Sequence, residues 1–120
     1  MCIVMTMRDR LLLLKAGFED PAFPGQRFYC WHCALIEGVL ASFPKLAARL
    51  DVERIDWERP RAAVVQVLGF ENQTLPVLIL ADDGVTTPGA RTHAGQRFID
   101  DKDGILRALS ARHGFPLPHP

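Results

Sequence analysis

Cys30 and Cys33 stand three residues apart in the stretch FYCWHCALIEG, with Trp31 and His32 between them. Thiols at this spacing suit two chemistries. One is thiol–disulfide exchange, in which a thiolate attacks a disulfide and a second thiol resolves the mixed product. The other is metal binding, in which the pair supplies two of the four ligands that zinc takes. Leu35, Ile36, Val39, Leu40 and Phe43 follow at helical spacing, so a helix of about three turns starts here and Cys30 falls at its N-cap. An N-cap side chain accepts hydrogen bonds from backbone N–H groups two or three residues on, here His32 and Cys33. The helix terminus adds partial positive charge. Both effects favour thiolate over thiol at such a position. A protonated His32 would add to that field, and so would Arg27. Cys33 lies on the same helix face as Cys30. The reading is Cys30 as nucleophile, Cys33 as resolving thiol and His32 as the residue that tunes the thiolate.

For a metal, the remaining ligand candidates are Cys2, His93, His113 and His119. No second close pair of cysteines completes a set of four. No metal and no cofactor is therefore expected within one chain; an iron–sulfur cluster shared between two chains stays open.

The elements that position the pair are those of one domain. A chain of 120 residues that is 48% hydrophobic can build a single core. Fourteen basic residues balance fourteen acidic ones, which gives bulk electrostatics no footing for a nucleic-acid or membrane-surface role. No apolar run approaches the roughly 18 residues of a membrane span. Three cysteines, odd and few, do not make a secreted disulfide framework, and a cytoplasmic location is expected. MCIVMTMRDR has no basic residue before its apolar stretch. It is read as an N-terminal extension over 1–7 with Cys2 a free thiol, not as a signal peptide, and Met5 or Met7 is an equally good start.

Leu11–Leu14 is a short apolar run that suits a strand buried on both faces. EDPAFPGQ is a loop. The stretch after Pro44 alternates weakly over RLDVERIDW, with charges on both faces, as an edge strand does. RPRAAVVQVLG reads as a helix with Pro60 near its first turn and Gly69 as its stop. LPVLILADDG contains a second central strand. The stretch 82–95 is a polar connection, QRFI a short strand, and DDKDGILRALSARHG a helix with acids at its start, basic residues near its end and Gly114 beyond it. The order is β-α-β-α-β-β-α, an α/β fold with a four-stranded mixed sheet flanked by helices. The first two strands are parallel through a right-handed crossover, and the last two form an antiparallel hairpin. The domain spans 8–114, with a proline-rich tail over 115–120.

With Cys30-Trp31-His32-Cys33 at the first helix, Thr74-Leu75-Pro76 before the third strand and Phe98-Ile99-Asp100-Asp101 leading into the last helix, nearly the whole chain resembles the thioredoxin/glutaredoxin superfamily. It looks most like an uncharacterised bacterial family with that fold. The resemblance implies a thioredoxin-like fold, a disulfide oxidoreductase activity, and a cis Leu75–Pro76 bond facing the cysteines. It also implies that the backbone at Leu75 pairs with an extended substrate peptide, a form of strand addition. The histidine before the second cysteine resembles that of protein disulfide isomerase, where it is implied to make the disulfide more oxidising.

Topology then sends the 82–95 connection to the end of the sheet away from the cysteines, so Thr86, Thr87 and His93 are not expected to be catalytic. Phe18 and Phe28 are read as anchors that hold the proline-containing loop. Trp31, next to the N-cap, is read as an exposed contact residue. Asp100 and Asp101 are most simply helix caps; with Thr74, Leu75, Pro76 and Trp31 they complete the candidate substrate contacts. His113 and His119 are read as surface residues. The leading function is a thiol–disulfide oxidoreductase acting on a cysteine-containing protein or a small thiol, with a homodimer left open. The alternatives are a thioredoxin-fold binding or redox-sensing module without turnover, and a cysteine-ligated metal or iron–sulfur protein.

Overall fold

The computed structural model describes residues 8–120; Cys2 and the proposed 1–7 extension lie outside the described residues. Strand β1 (Arg10–Leu14) is followed by helices α1 (Trp31–Ser42) and α2 (Pro44–Ala47) and strand β2 (Asp51–Ile55). Helix α3 (Ala62–Leu68), strands β3 (Val77–Ile79), β4 (Arg91–His93) and β5 (Gln96–Ile99), and helix α4 (Lys102–His113) complete the order.

The strands form one mixed sheet in the order β2-β1-β3-β5-β4. Strands β1 and β2 are parallel, with Leu12 opposite Glu53, as a crossover through a helix requires. The pairs β1–β3, β3–β5 and β4–β5 are antiparallel. Leu11, Leu12 and Leu13 are all inaccessible. Successive side chains point to opposite faces, so both faces of β1 are covered, and the apolar run needed no alternation. β2 is an edge strand whose Glu53 and Arg54 are exposed. They pair with Arg10 and Glu37, which keeps that edge charged.

The sheet has five strands where four were expected, and β4 lies inside the supposed 82–95 connection. Arg91 and Thr92 are exposed, so β4 carries no apolar period to read. It is held by backbone pairing with β5 through a two-residue turn at Ala94 and Gly95, both at positive φ (49° and 81°). That is the hairpin geometry whose twist suits the flanking strands. Part of the connection does lie at the far end: Asp83 and Thr87 bond to Arg112.

Helix α1 buries Cys33, Ile36 and Leu40. Leu35 is exposed, so the buried stripe is narrower than the apolar spacing suggests. Pro44 does not merely end α1; it opens the single turn of α2 at the position where a missing N–H is harmless. Helix α3 starts after Pro60, at Ala62, with Arg61 as N-cap. Helix α4 has Asp101 as N-cap and Gly114 in the left-handed conformation beyond its end.

His113 is not a surface histidine. Its Nε2 lies 2.6 Å from the Asp9 carboxylate, which is fully buried. The same carboxylate accepts Arg112 Nε and Nη2 at 2.7 and 2.8 Å and the Ala81 N–H at 2.7 Å. A buried aspartate demands such partners, and α4 supplies two of them. Phe115, just past α4, is buried edge-on against Phe43.

Candidate functional site

The loop that delivers Cys30 is pinned by aromatic residues. Phe18 and Phe28 form an isolated antiparallel bridge, with the Phe28 N–H donating to Phe18 O at 2.8 Å. Phe18 stacks on Trp57 at 5.6 Å between ring centres, and Phe28 meets Phe23 edge-on. The bridge closes the loop two residues before Cys30, so the helix begins at a defined place.

Cys30 has extended backbone (φ −77°, ψ 118°), and its Sγ accepts the Cys33 N–H at 3.3 Å. This is N-cap geometry with sulfur in the place of the usual oxygen. Cys30 is half-buried, Cys33 is buried, and both are free thiols. The Leu14 N–H, at the end of β1, donates to Cys33 Sγ at 3.4 Å. Burial is the main force pushing the Cys33 thiol up, to about 12; a hydrogen bond to Cys30 and the charges of Cys30 and Glu37 add, and the Leu14 N–H opposes. The two cysteines are therefore unequal: Cys30 is half-buried, and Cys33 is buried and holds its proton.

Trp31 is 68% exposed and packs at 4.1 Å, centre to centre, against the His32 ring. The Lys102 ammonium, from the first turn of α4, stands 5.9 Å over the Trp31 ring. His32 also lines a groove of about 400 Å³ whose other walls are Thr74, Leu75, Pro76, Asp100 and Asp101. The Leu75–Pro76 bond is cis. The fold thus brings His32 and five of the sequence-nominated residues to one groove. Trp31 stands beside it through its packing on His32, while Cys33 adjoins His32 in the chain, Cys30 lies two residues before it, and neither forms the groove wall.

The two aspartates differ. Asp101 accepts the Gly104 N–H at 2.7 Å as the cap of α4. Asp100 does not cap; it pairs with Arg91 at 2.8 Å. The inserted strand β4 therefore reaches the groove through Arg91, a residue of the stretch expected at the far end. His93 stays away from the groove, packed against Gly69.

Arg61 is the residue that the sequence concealed. In ERPRAA it looks like one more solvated charge, yet it is 6% exposed. Its Nε and Nη2 donate to Trp57 O at 3.0 and 2.7 Å, and its Nη1 donates to Gln73 O at 2.7 Å. Its backbone N–H donates to the Gln73 side chain at 2.8 Å. Only the absence of a capping side chain before AAVVQVL hinted at a special role for this position.

Among the described residues no group of three His, Cys, Asp or Glu side chains could hold a metal ion. Likewise, no described helix is long and apolar enough to cross a membrane.

Fold and site together define an α/β domain with a mixed five-stranded sheet and a close thiol pair at the start of its first helix. The chain belongs to the family described as Protein of unknown function (DUF3088), whose model matches residues 8–117. No curated protein matches the chain. No solved structure matches it either.

Proposed function

We propose that this protein is a thiol–disulfide oxidoreductase of thioredoxin-like architecture. The observation that carries the reading is the inequality of the two cysteines: Cys30 is half-buried and its Sγ caps α1, while Cys33, one turn on, is buried. Two further features support the fold assignment. The order β2-β1-β3-β5, with β1 and β2 parallel and the rest antiparallel, is compatible with a thioredoxin-like arrangement to which β4 adds outside β5. The cis proline stands before β3, in the groove that His32 lines.

In the reaction, the Cys30 thiolate attacks one sulfur of a substrate disulfide. That S–S bond breaks, the other substrate sulfur leaves as a thiolate, and a mixed disulfide forms. With Cys30 no longer anionic, one of the influences that holds the proton on Cys33 is gone. Cys33 then loses its proton and attacks Cys30 Sγ. The second substrate thiolate leaves, two electrons have passed to the substrate, and the protein holds the disulfide. The reverse sequence oxidises a dithiol. The substrate is a cysteine-containing protein or a small thiol, and the expected compartment is the cytoplasm.

The test is the reduction potential of the pair in glutathione buffers, together with trapping by Cys33→Ala. Reversible oxidation, and mixed disulfides that accumulate only when Cys30 is present, are expected. A pair that stays reduced at every poise and traps nothing would sink the reading.

A second reading rests on Trp31 and its neighbours. Phe23, Tyr29 and Trp31, in the loop and helix start that carry the thiols, are all more than half exposed, and an exposed aromatic rim suits a docking module. On that reading the cysteines sense redox state without turnover, and partner binding survives Cys30→Ser.

A further inference from the structure

A buried charge is normally paired with an opposite charge. Arg61 breaks that pattern. The acceptors of its guanidinium are neutral backbone carbonyls, Trp57 O and Gln73 O, so a full positive charge remains inside the protein. Such a charge acts strongly on its surroundings, because little water screens it. Burial and Arg59 work against the charged form of Arg61, whereas Cys33 and Cys30 work in its favour. An ionised sulfur offsets that charge; Asp56 and Glu58 line the cavity beside Arg61 but do not bond its guanidinium.

The same side chain joins the two walls of the site. Gln73 leads directly into Thr74, Leu75 and Pro76. Trp57 stacks on Phe18, whose bridge to Phe28 fixes the approach to Cys30. The Gln73 amide is itself anchored on Phe70 O at 2.9 Å. One guanidinium thus fixes the spacing of the proline loop and the cysteine loop.

We propose that Arg61 is the positioning residue of the thiol pair: its guanidinium ties the Trp57 and Gln73 backbones together and lends the site the standing positive charge that an ionised Cys30 needs. The proposal rests on the redox reading above. Other charges near the sulfurs are His32 and Glu37 on α1; those about Arg61 are Arg59, Lys15, Arg54, Asp56 and Glu58. Lys102 and Asp101 stand at the groove.

The test compares Arg61→Met, Arg61→Gln and Arg61→Lys. The readouts are the pH profile of Cys30 carbamidomethylation and the equilibrium with glutathione. A close cation moves an ionisation by about one pH unit or more, so loss of the charge is expected to slow alkylation at pH 7 about tenfold. The pair should also become about tenfold harder to reduce, which is about 30 mV. Arg61→Lys should restore the pH profile, because it restores the charge. If Arg61→Met does not fold, Arg61→Gln carries the comparison, since its amide keeps a donor in the same place. Gln73→Leu keeps the charge and the Gln73 carbonyl but removes the amide that accepts the Arg61 N–H and anchors on Phe70 O; it should lower the melting temperature and move the alkylation profile less than Arg61→Gln does. The proposal is overturned if Arg61→Gln keeps the wild-type profile, or if Arg61→Lys is as slow as Arg61→Gln. A wild-type Cys30 that alkylates like a free thiol and forms no reversible disulfide overturns the redox reading instead.

Discussion

The backbone N–H of Leu14 donates to the sulfur of Cys33 across 3.4 Å. The last residue of the central strand and the first turn of α1 are thereby joined at an atom with redox chemistry.

Cys33 should resist alkylation. In Cys30→Ser at pH 8, iodoacetamide should label Cys33 far more slowly than it labels Cys30 in Cys33→Ser, as intact mass will report. Stability follows the same proton. The folded thiol titrates at about 12 and the ordinary value is 9.0. Between these values the unfolded chain binds fewer protons, so stability falls as pH rises through that window. Cys33→Ala should flatten the fall in urea titrations.

Asp9 gives the opposite slope at the acid end. Burial alone would push its carboxyl up, but hydrogen bonds from Arg112, Ala81 and His113 and the Arg112 charge hold it below the ordinary 3.8. Its contribution is present above that value and is lost as pH falls through the folded one. Asp9→Asn at pH 7 leaves Asp83 as the carboxylate partner of Arg112 and weakens the bonds that Arg112 and His113 make to a buried acceptor, which should cost about 1–3 kcal/mol in urea unfolding. An Asp9→Asn protein as stable as wild type would show that the network is dispensable.

Gly104→Ala should destabilise, although alanine normally improves a helix. A Cβ there would stand 2.6 Å from Asp101 Oδ1 and 2.8 Å from Ile99 Cγ2. Either the cap of α4 or the end of β5 must shift, at a cost of about 1–3 kcal/mol. Thermal unfolding checks the sign.

Ala94→Gly should stabilise. Ala94 sits at φ 49° in the β4–β5 turn, where a Cβ is strained. Relief of that strain outweighs the added freedom of the unfolded chain by about 0.5–1 kcal/mol. A melting temperature that does not rise would argue against this turn geometry.

The legible parts of the molecule were those in which residue type dictates environment. Short apolar runs, leucines in β1 and Val77-Leu78-Ile79 in β3, marked the two central strands, because a strand covered on both faces accommodates them. Cys30 and Asp101 were legible as caps, since each carries an acceptor just before a helical run. Strand β4 was not legible, because Arg91 and Thr92 show their side chains to solvent and only the backbone pairs. Arg61 and the Asp9–Arg112–His113 cluster were hidden for a related reason. Charged residues are taken as solvated unless a partner is known, and their partners lie 4 to 104 positions away in the chain. The groove was legible residue by residue, but the pairing of Asp100 with Arg91 was not.

Asp9 and Leu14 bracket β1, and at roughly 3.3 Å per residue about 17 Å separates them. One end carries the ionic clamp, and the other carries the thiols. Sites so far apart add their energies to within about 0.3–0.5 kcal/mol. Asp9→Asn combined with Cys33→Ala should therefore give the sum of the two single effects. The strand works as a spacer between an anchoring pole and a reactive pole, leaving the reactive pole free to be re-engineered without remaking the anchor.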